Sequence, residues 1–389
     1  MLFMGVLHYK HLSRTMASFS DSLKGLTSGL FAKKSGSVLG IDISSSTIKV
    51  VQLGRKKGKA ILETYGELAL GPYAGVDAGR ATSLPSEKLG AAVADLIRES
   101  KVSTTACGVA IPLSASLINV LEMPDVGEAR LKEMVPLEVR KYIPVSISEV
   151  MLDWRIVPQL ERETEDASKP SIEKKKIEIL TVAIHKDTIT RYQDVMKAAG
   201  LTPSFYEIEV FSSIRVALEE DLQPVMIMGL GAGSTKVYVV DRKVLRESHI
   251  ISRGSQEVTI AIEKAMGVTE ARAEELKRLY GVVKQGNETD VAEIASLVID
   301  SIFTEAQRVM LNYQKRHTRN IGKVVLTGGG IMLPGIVERA KTVFGTDVSI
   351  ADPFRKVEAP AFLDSVLKQV GPEFDVAIGV ALRKLEEEG

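Results

Sequence analysis

Apolar positions along the chain fall into short runs, separated by clusters of serine, glycine and charged residues, and the period of the runs changes along the way. Val38 to Ile43 is a short apolar strand, a serine-rich turn follows, and Thr47 to Leu53 resumes as a second strand. Gly54-Arg55-Lys56-Lys57-Gly58 reads as a hairpin turn into a third strand at Lys59 to Tyr65. Leu89, Val93, Leu96 and Ile97 recur at helical spacing within Pro85 to Lys101. Ala106 to Leu121 predicts two strands split by Pro112, and Glu128 to Tyr142 predicts a helix that Pro136 kinks or divides. Ile177 to Ile184 is a strand, Lys186 to Ala199 a helix with a turn at Gly200, and a further strand and helix reach Leu222. Gln223-Pro224 then marks a boundary. Beyond it come strand, turn and strand at Val225 to Asp241, long helices between Ser255 and Thr318, and alternating elements at Lys323 to Leu326, Gly335 to Phe344, Val348 to Ile350 and Val376 to Leu385. Strands interleaved with helices predict an α/β architecture with central sheets.

Two stretches break this rhythm. The first 35 residues carry Lys10, Arg14, Lys24, Lys33 and Lys34 against Asp21, with Phe19, Leu23, Leu26, Leu30 and Phe31 at helical spacing. They have no continuous apolar stretch of the kind a signal peptide needs. Two readings stay open: a flexible basic leader, which Met16 could shorten by starting the protein, or an amphipathic helix that touches a membrane surface or a partner. Glu161 to Lys176 mixes charges without an apolar period and reads as a solvated loop.

Composition narrows the function. Hydrophobic residues make up 45% of the 389 and charged residues 26%, with 50 basic and 50 acidic side chains balancing to zero. That is the balance of a folded protein without the basic footprint of a nucleic-acid binder, so no nucleic-acid partner is expected. One cysteine, Cys107, excludes an internal disulfide and a CxxC zinc site, and five scattered histidines form no HExxH pattern. No run approaches the roughly 18 apolar residues of a membrane span.

The chemistry lies in a repeat. Gly40-Ile41-Asp42-Ile43-Ser44-Ser45-Ser46-Thr47-Ile48-Lys49-Val50 and Ile227-Met228-Gly229-Leu230-Gly231-Ala232-Gly233-Ser234-Thr235-Lys236-Val237 share one plan. Each is an apolar strand, a tight turn of small and hydroxyl residues, and a second strand with a lysine at the same offset. Small residues let backbone amides approach phosphate oxygens, and hydroxyls add donors. Asp42, at a strand end, suits the hydration shell of a magnesium ion. Lys49 and Lys236 can each reach a phosphate or, on alternating strands, point to solvent. Two such turns in matching halves predict a nucleotide cleft between them. Val324-Val325-Leu326-Thr327-Gly328-Gly329-Gly330 adds a strand running into glycines, against which adenine and ribose can lie flat. Glu274 and Lys277, three apart on a helix, either grip ribose and adenine or form an ordinary surface ion pair.

These residues resemble the actin and sugar-kinase superfamily, and within it the PilM family of type IV pilus assembly proteins and its relative FtsA. The resemblance runs from about Ser37 to Leu385. Its most specific pieces are Ile111-Pro112 with Met123-Pro124, the segment Leu137-Glu138-Val139-Arg140-Lys141-Tyr142-Ile143-Pro144, and Ala198-Ala199-Gly200-Leu201. It implies an actin-like ATPase fold: two duplicated RNase H-like domains around a nucleotide cleft, at 37–222 and 223–389, with a small inserted α+β subdomain at about 106–176. It implies ATP and magnesium, with Asp42 on the metal. Ser44, Ser45, Ser46, Thr47, Lys49, Gly231, Ala232, Gly233, Ser234, Glu274, Lys277, Gly328, Gly329 and Gly330 would lie on the nucleotide.

The resemblance also implies a partner, the N-terminal cytoplasmic tail of a PilN-like bitopic membrane protein, held in a groove between the first domain and the insertion. Other pilus assembly components would join it. Membrane association would then be mainly indirect, at the inner face of the cytoplasmic membrane. Two departures bear on turnover. The second turn opens with Gly229 where the family has an aspartate, and the first has Ser44 where a glycine is usual. Glu209 falls where relatives place the residue that orients attacking water. The chain is therefore expected to be at most a slow ATPase. The alternatives are an FtsA-like or filament-forming cytoskeletal protein and a superfamily kinase. An FtsA-like protein would usually end in an amphipathic anchor, whereas this sequence closes on Glu386-Glu387-Glu388-Gly389.

Overall fold

The computed structural model describes residues 36–157, 176–219, 222–284 and 289–387; the basic leader and nearly all of the mixed-charge run lie outside them. Val38–Ile43 (β1), Thr47–Lys56 (β2) and Lys59–Ala69 (β3) form an antiparallel meander. The turn between β2 and β3 is shorter than the sequence predicts. Strand pairing continues through Gly54, Arg55 and Lys56, and only Lys57 and Gly58 turn, with φ of 51° and 80°. Two successive positive φ values give the tight turn whose twist suits a hairpin.

Gly71–Ala74 (α1) and Ser86–Glu99 (α2) follow, and α2 buries the predicted stripe of Leu89, Val93 and Leu96. Ala106–Ile111 (β4) pairs parallel to β1 before Pro112 ends it. Ser116–Pro124 (β5), Glu128–Val139 (α3), Val150–Ile156 (β6) and Lys176–His185 (β7) then build a separate small layer. Its strands pair antiparallel in the order β5-β7-β6, with Leu131, Val135 and Val139 of α3 in their own apolar cluster beside them. Pro136 lies within α3 and does not divide it. Lys186–Ala198 (α4), Thr202–Ile208 (β8) and Glu209–Ala217 (α5) return to the first sheet, whose order is β3-β2-β1-β4-β8.

The expected insertion at about 106–176 is therefore displaced. β4 belongs to the first sheet and β7 to the small one, so the small sheet runs from Ser116 to His185. An apolar run such as Ala106–Ile111 fits either sheet, and its parallel pairing between β1 and β8 decides the matter.

The second half repeats the first. Val225–Leu230 (β9), Thr235–Asp241 (β10) and Val244–Ile251 (β11) form a meander. Gln256–Met266 (α6), Glu270–Tyr280 (α7) and Thr289–His317 (α8) cover one face. Lys323–Thr327 (β12), Ile336–Phe344 (α9) and Asp347–Ile350 (β13) complete a sheet ordered β11-β10-β9-β12-β13. Each strand of this sheet has its counterpart at the same place in the first, which is the duplication read from the two turns.

The C-terminal segment crosses back. After Asp364–Val370 (α10), Asp375–Glu387 (α11) packs on β1, β2, β4 and α5. Small residues set its approach: a Cβ on Gly40 would meet the Ala377 carbonyl at 2.0 Å, and one on Gly379 would meet the Ser212 carbonyl at 2.3 Å. Phe354, Val357, Phe374 and Ile378 share a core with Val51 and Leu53 of β2. The expected division at 222/223 thus separates the two sheets, but most apolar residues from Phe354 to Leu385 pack on the first sheet, while the Pro372 carbonyl accepts from Thr327 and Gly328 at the end of β12. Beneath α11 the Arg215 guanidinium donates to both oxygens of Glu207, each at 2.8 Å, in a fully buried pair. Bidentate geometry and a further donor, Ser212 Oγ at 2.5 Å, satisfy the charge that burial would otherwise leave costly.

Candidate functional site

The two meanders turn toward each other across a cleft of about 1040 Å³. Their turns are closed by the same backbone bond. Ser44 N–H donates to Thr47 O at 2.9 Å, and Gly231 N–H donates to Ser234 O at 3.0 Å. Strand register pairs Asp42 with Lys49 in one and Gly229 with Lys236 in the other. The turns also come into contact: a Cβ on Gly233 would stand 3.4 Å from Ser45 Oγ and 3.2 Å from Ala81 Cβ.

Neighbouring segments engage the turn carbonyls. Ser45 O and Ser46 O accept from the amides of Thr82 and Leu70 at 2.7 and 2.8 Å. Gly231 O and Ala232 O accept from those of Ser255 and Gln256 at 2.9 and 3.0 Å. A planar trans peptide puts its N–H opposite its carbonyl, so the amides of Ser46, Ala232 and Gly233 face the other way. Backbone donors on small residues of this kind can receive an anion.

Both lysines line the cleft. Lys49 Nζ donates to Thr47 Oγ1 at 2.6 Å and lies 3.1 Å from Glu67. Lys236 Nζ donates to Glu209 Oε2 at 2.5 Å. The other oxygen of Glu209 accepts the Leu113 amide at 2.6 Å, so both oxygens of this buried carboxylate are engaged. Asp42 is buried beside them. Burial, opposed by Lys49 and reinforced by Glu209, pushes its carboxyl up to about 7. Burial draws the Lys236 ammonium down, but the adjacent Glu209 overrides it and its affinity for the proton ends above that of an ordinary lysine.

Every residue expected at the nucleotide lines this one cleft: Ser44, Ser45, Ser46, Thr47, Lys49, Gly231, Ala232, Gly233, Ser234, Glu274, Lys277, Gly328, Gly329 and Gly330, with Asp42 and Glu209. Details differ from expectation. The Ser44 hydroxyl is occupied within its own turn, donating to Thr47 O at 3.0 Å and accepting the Thr47 amide at 3.2 Å. Glu274 and Lys277 are not an ordinary surface pair. They approach to 2.5 Å, Thr259 Oγ1 joins both, and the Lys277 side chain is 8% exposed. Burial raises the Glu274 carboxyl, yet Lys277 and its other donors bring it down to about 2.

The glycines after β12 serve packing as much as access. Gly328 has φ of 86° and its Cβ would meet the Leu230 carbonyl at 2.7 Å, while one on Gly330 would strike Leu230 Cγ at 2.5 Å. Only Gly329 faces a movable neighbour, the Glu373 carboxylate at 3.2 Å.

One residue escaped the sequence reading. Asp375 opens α11 inside the cleft and accepts from Ser213 Oγ at 2.7 Å, with burial raising its carboxyl against those bonds. Its signal was the small-residue string Ala377, Gly379 and Ala381 just after it, which marks a helix pressed close to another element. Cys107 is a core residue of β4, its thiol pushed up to about 12 by burial. Trp154 is half-buried against the small sheet's core, and Tyr142 is exposed.

A family profile described as type IV pilus assembly protein PilM matches residues 40–385. The chain belongs to the PilM family. Its fold agrees: a chain of a PilM–PilN type IV pilus biogenesis complex is similar with a TM-score of 0.74 at 22% identity, covering 90% of this chain and 98% of that one. MreB5 of Spiroplasma citri bound to ADP is similar at 0.52 with 12% identity, over 91% of this chain and 99% of that one. The two sheets and their cleft are therefore the actin-like fold. The cell division protein FtsA of Neisseria meningitidis serogroup B is 26% identical over 387 residues, 87% of this chain and 91% of that protein. FtsA of Streptococcus pneumoniae is 28% identical over 155 residues, so there the chain spans only 34% of its relative's length. No helix among the described residues is long and apolar enough to cross a membrane.

Proposed function

We propose that this PilM-family chain binds ATP between its two turns and acts as a nucleotide-regulated scaffold for the N-terminal cytoplasmic tail of a PilN-like inner-membrane protein. The observation that carries the nucleotide reading is the meeting of Ser45 and Gly233, from opposite halves, over a shared cleft. The amides of Ser46, Ala232 and Gly233 would hold phosphate oxygens, and Lys49 and Lys236 would neutralise them. The Gly328–Gly330 segment and the Glu274–Lys277 pair, lining the same cleft, would take the nucleoside. MreB5, which shares the fold, has been solved with ADP and with AMPPNP.

Hydrolysis would be slow or absent. Glu209 would be the carboxylate that orients water, and both its oxygens are engaged. Gly229 brings no second carboxylate. Magnesium would find little free carboxylate here: Glu209 and Asp375 are tied to donors, and the ammonium groups of Lys49 and Lys236 already offset the charge of Asp42.

The partner reading rests on the small layer. Leu137 is 69% exposed and Tyr142 49%, within the segment most characteristic of the family, and Val145 and Ile156 add apolar surface. Binding of a bitopic protein's tail there would hold the chain at the inner face of the cytoplasmic membrane. Calorimetric titration of the tail peptide into the full chain, with and without ATP, tests both halves. A nucleotide-dependent affinity that Leu137→Asp abolishes is expected. Equal peptide affinity in both states refutes the regulation, and undiminished binding to the variant refutes the surface.

A further inference from the structure

We propose that Lys236 is a built-in cation of this cleft, so that a nucleoside polyphosphate binds here without needing a divalent metal. The inference deepens the nucleotide reading and rests on it. Register makes Gly229 and Lys236 the counterparts of Asp42 and Lys49. In the first hairpin a carboxylate faces the lysine. In the second that carboxylate is missing, but the space for one remains, since a Cβ on Gly229 would meet only Thr327 Cγ2, at 3.5 Å.

Lys236 uses that freedom. Its ammonium leans across to Glu209 rather than to a strand neighbour, and 26% of its side chain stays open to the cleft. A polyphosphate entering between the turns would meet one ammonium group from each half, Lys49 and Lys236, beside the backbone amides. An ammonium and a divalent ion perform the same task for a phosphate, which is to offset charge, so a metal adds less where ammonium groups already do so. The charges of Lys49 and Lys236 both bear on Asp42, so a metal arriving there would be opposed by both lysines. Lys236 also differs from a metal in being fixed to the strand, so its charge needs no recruitment from solution.

Titrating the full chain with a fluorescent ATP analogue, once in magnesium chloride and once in excess EDTA, decides the matter. The expected result is a dissociation constant that rises less than about fivefold in EDTA, under about 1 kcal/mol by the affinity relation. A larger rise overturns the inference while leaving the nucleotide reading intact. Absence of binding in both buffers overturns that reading and this inference with it. The double variant Gly229→Asp/Lys236→Ser, checked for folding by its cooperative melt, sharpens the assignment. It should acquire a magnesium dependence of about tenfold or more, the size of one charge-assisted phosphate contact. Metal-independent binding in that variant would show that Lys236 is not the reason.

Discussion

The two halves of this molecule carry one backbone and two chemistries. β1–β2 and β9–β10 share strand register, turn hydrogen bonds and position in their sheets. Yet the first hairpin pairs Asp42 with Lys49, and the second pairs Gly229 with a lysine that reaches out of its own sheet to Glu209. Backbone geometry in a turn depends on small residues and local hydrogen bonds, which both sequences supply. The charge at the turn's mouth depends on which partner each side chain can reach, and that is set by the other half. A duplication can therefore keep a phosphate cradle intact while its ion balance drifts.

The lysines give the sharpest contrast. Lys236→Ala leaves Glu209, whose side chain is 4% exposed, without its countercharge, and should cost about 3–5 kcal/mol in chemical denaturation. Lys49→Ala removes a contact to Glu67, a hydrogen bond to Thr47 and a countercharge to buried Asp42, but Asp42 can take up a proton in its place, and the variant should cost less, about 1–2 kcal/mol. Equal losses would mean that the two hairpins are electrostatically alike after all.

Asp42 offers the next test. Its folded carboxyl titrates at about 7, above its ordinary value of 3.8. The folded protein thus binds the proton more tightly than the unfolded chain, so this group's contribution is most favourable at low pH and declines as pH rises from about 4 to about 7. Asp42→Asn should remove that decline and raise stability at pH 8 by about 2–4 kcal/mol relative to its effect at pH 4. A parallel pH profile for the two proteins would contradict it.

Glycines in the equivalent strands β1 and β9 should respond with opposite signs. Gly40→Ala drives a methyl into the Ala377 carbonyl and should destabilise by about 1–3 kcal/mol or more. Gly229→Ala meets open space at ordinary backbone angles and should stabilise by about 0.4–1 kcal/mol through the unfolded chain's lost freedom. Thermal melts of the two variants compare them directly, and a destabilising Gly229→Ala would mean that the space beside it is not free.

Most of the elements were legible because their signals are local. The stripe Leu89, Val93 and Leu96 declares a helix, Pro112 ends a strand, and the two small-residue turns announce a repeat. The hairpin turn was misplaced because Gly54 mimics a turn residue. Its place in the strand is set by the ladder, with Ile61 opposite it. The insertion's edge was misplaced for a related reason, since an apolar run carries no mark of which sheet will take it.

The sequence by itself determined the paired turns and the α/β alternation, because spacing and residue size act within a few positions of the chain. Only the tertiary structure decided that α11 returns to the first sheet, that Asp375 enters the cleft, and that Lys236 binds Glu209. Those outcomes depend on charges and surfaces distant in the chain and brought together only when the two sheets close, and no local pattern encodes where a buried ammonium will find its partner.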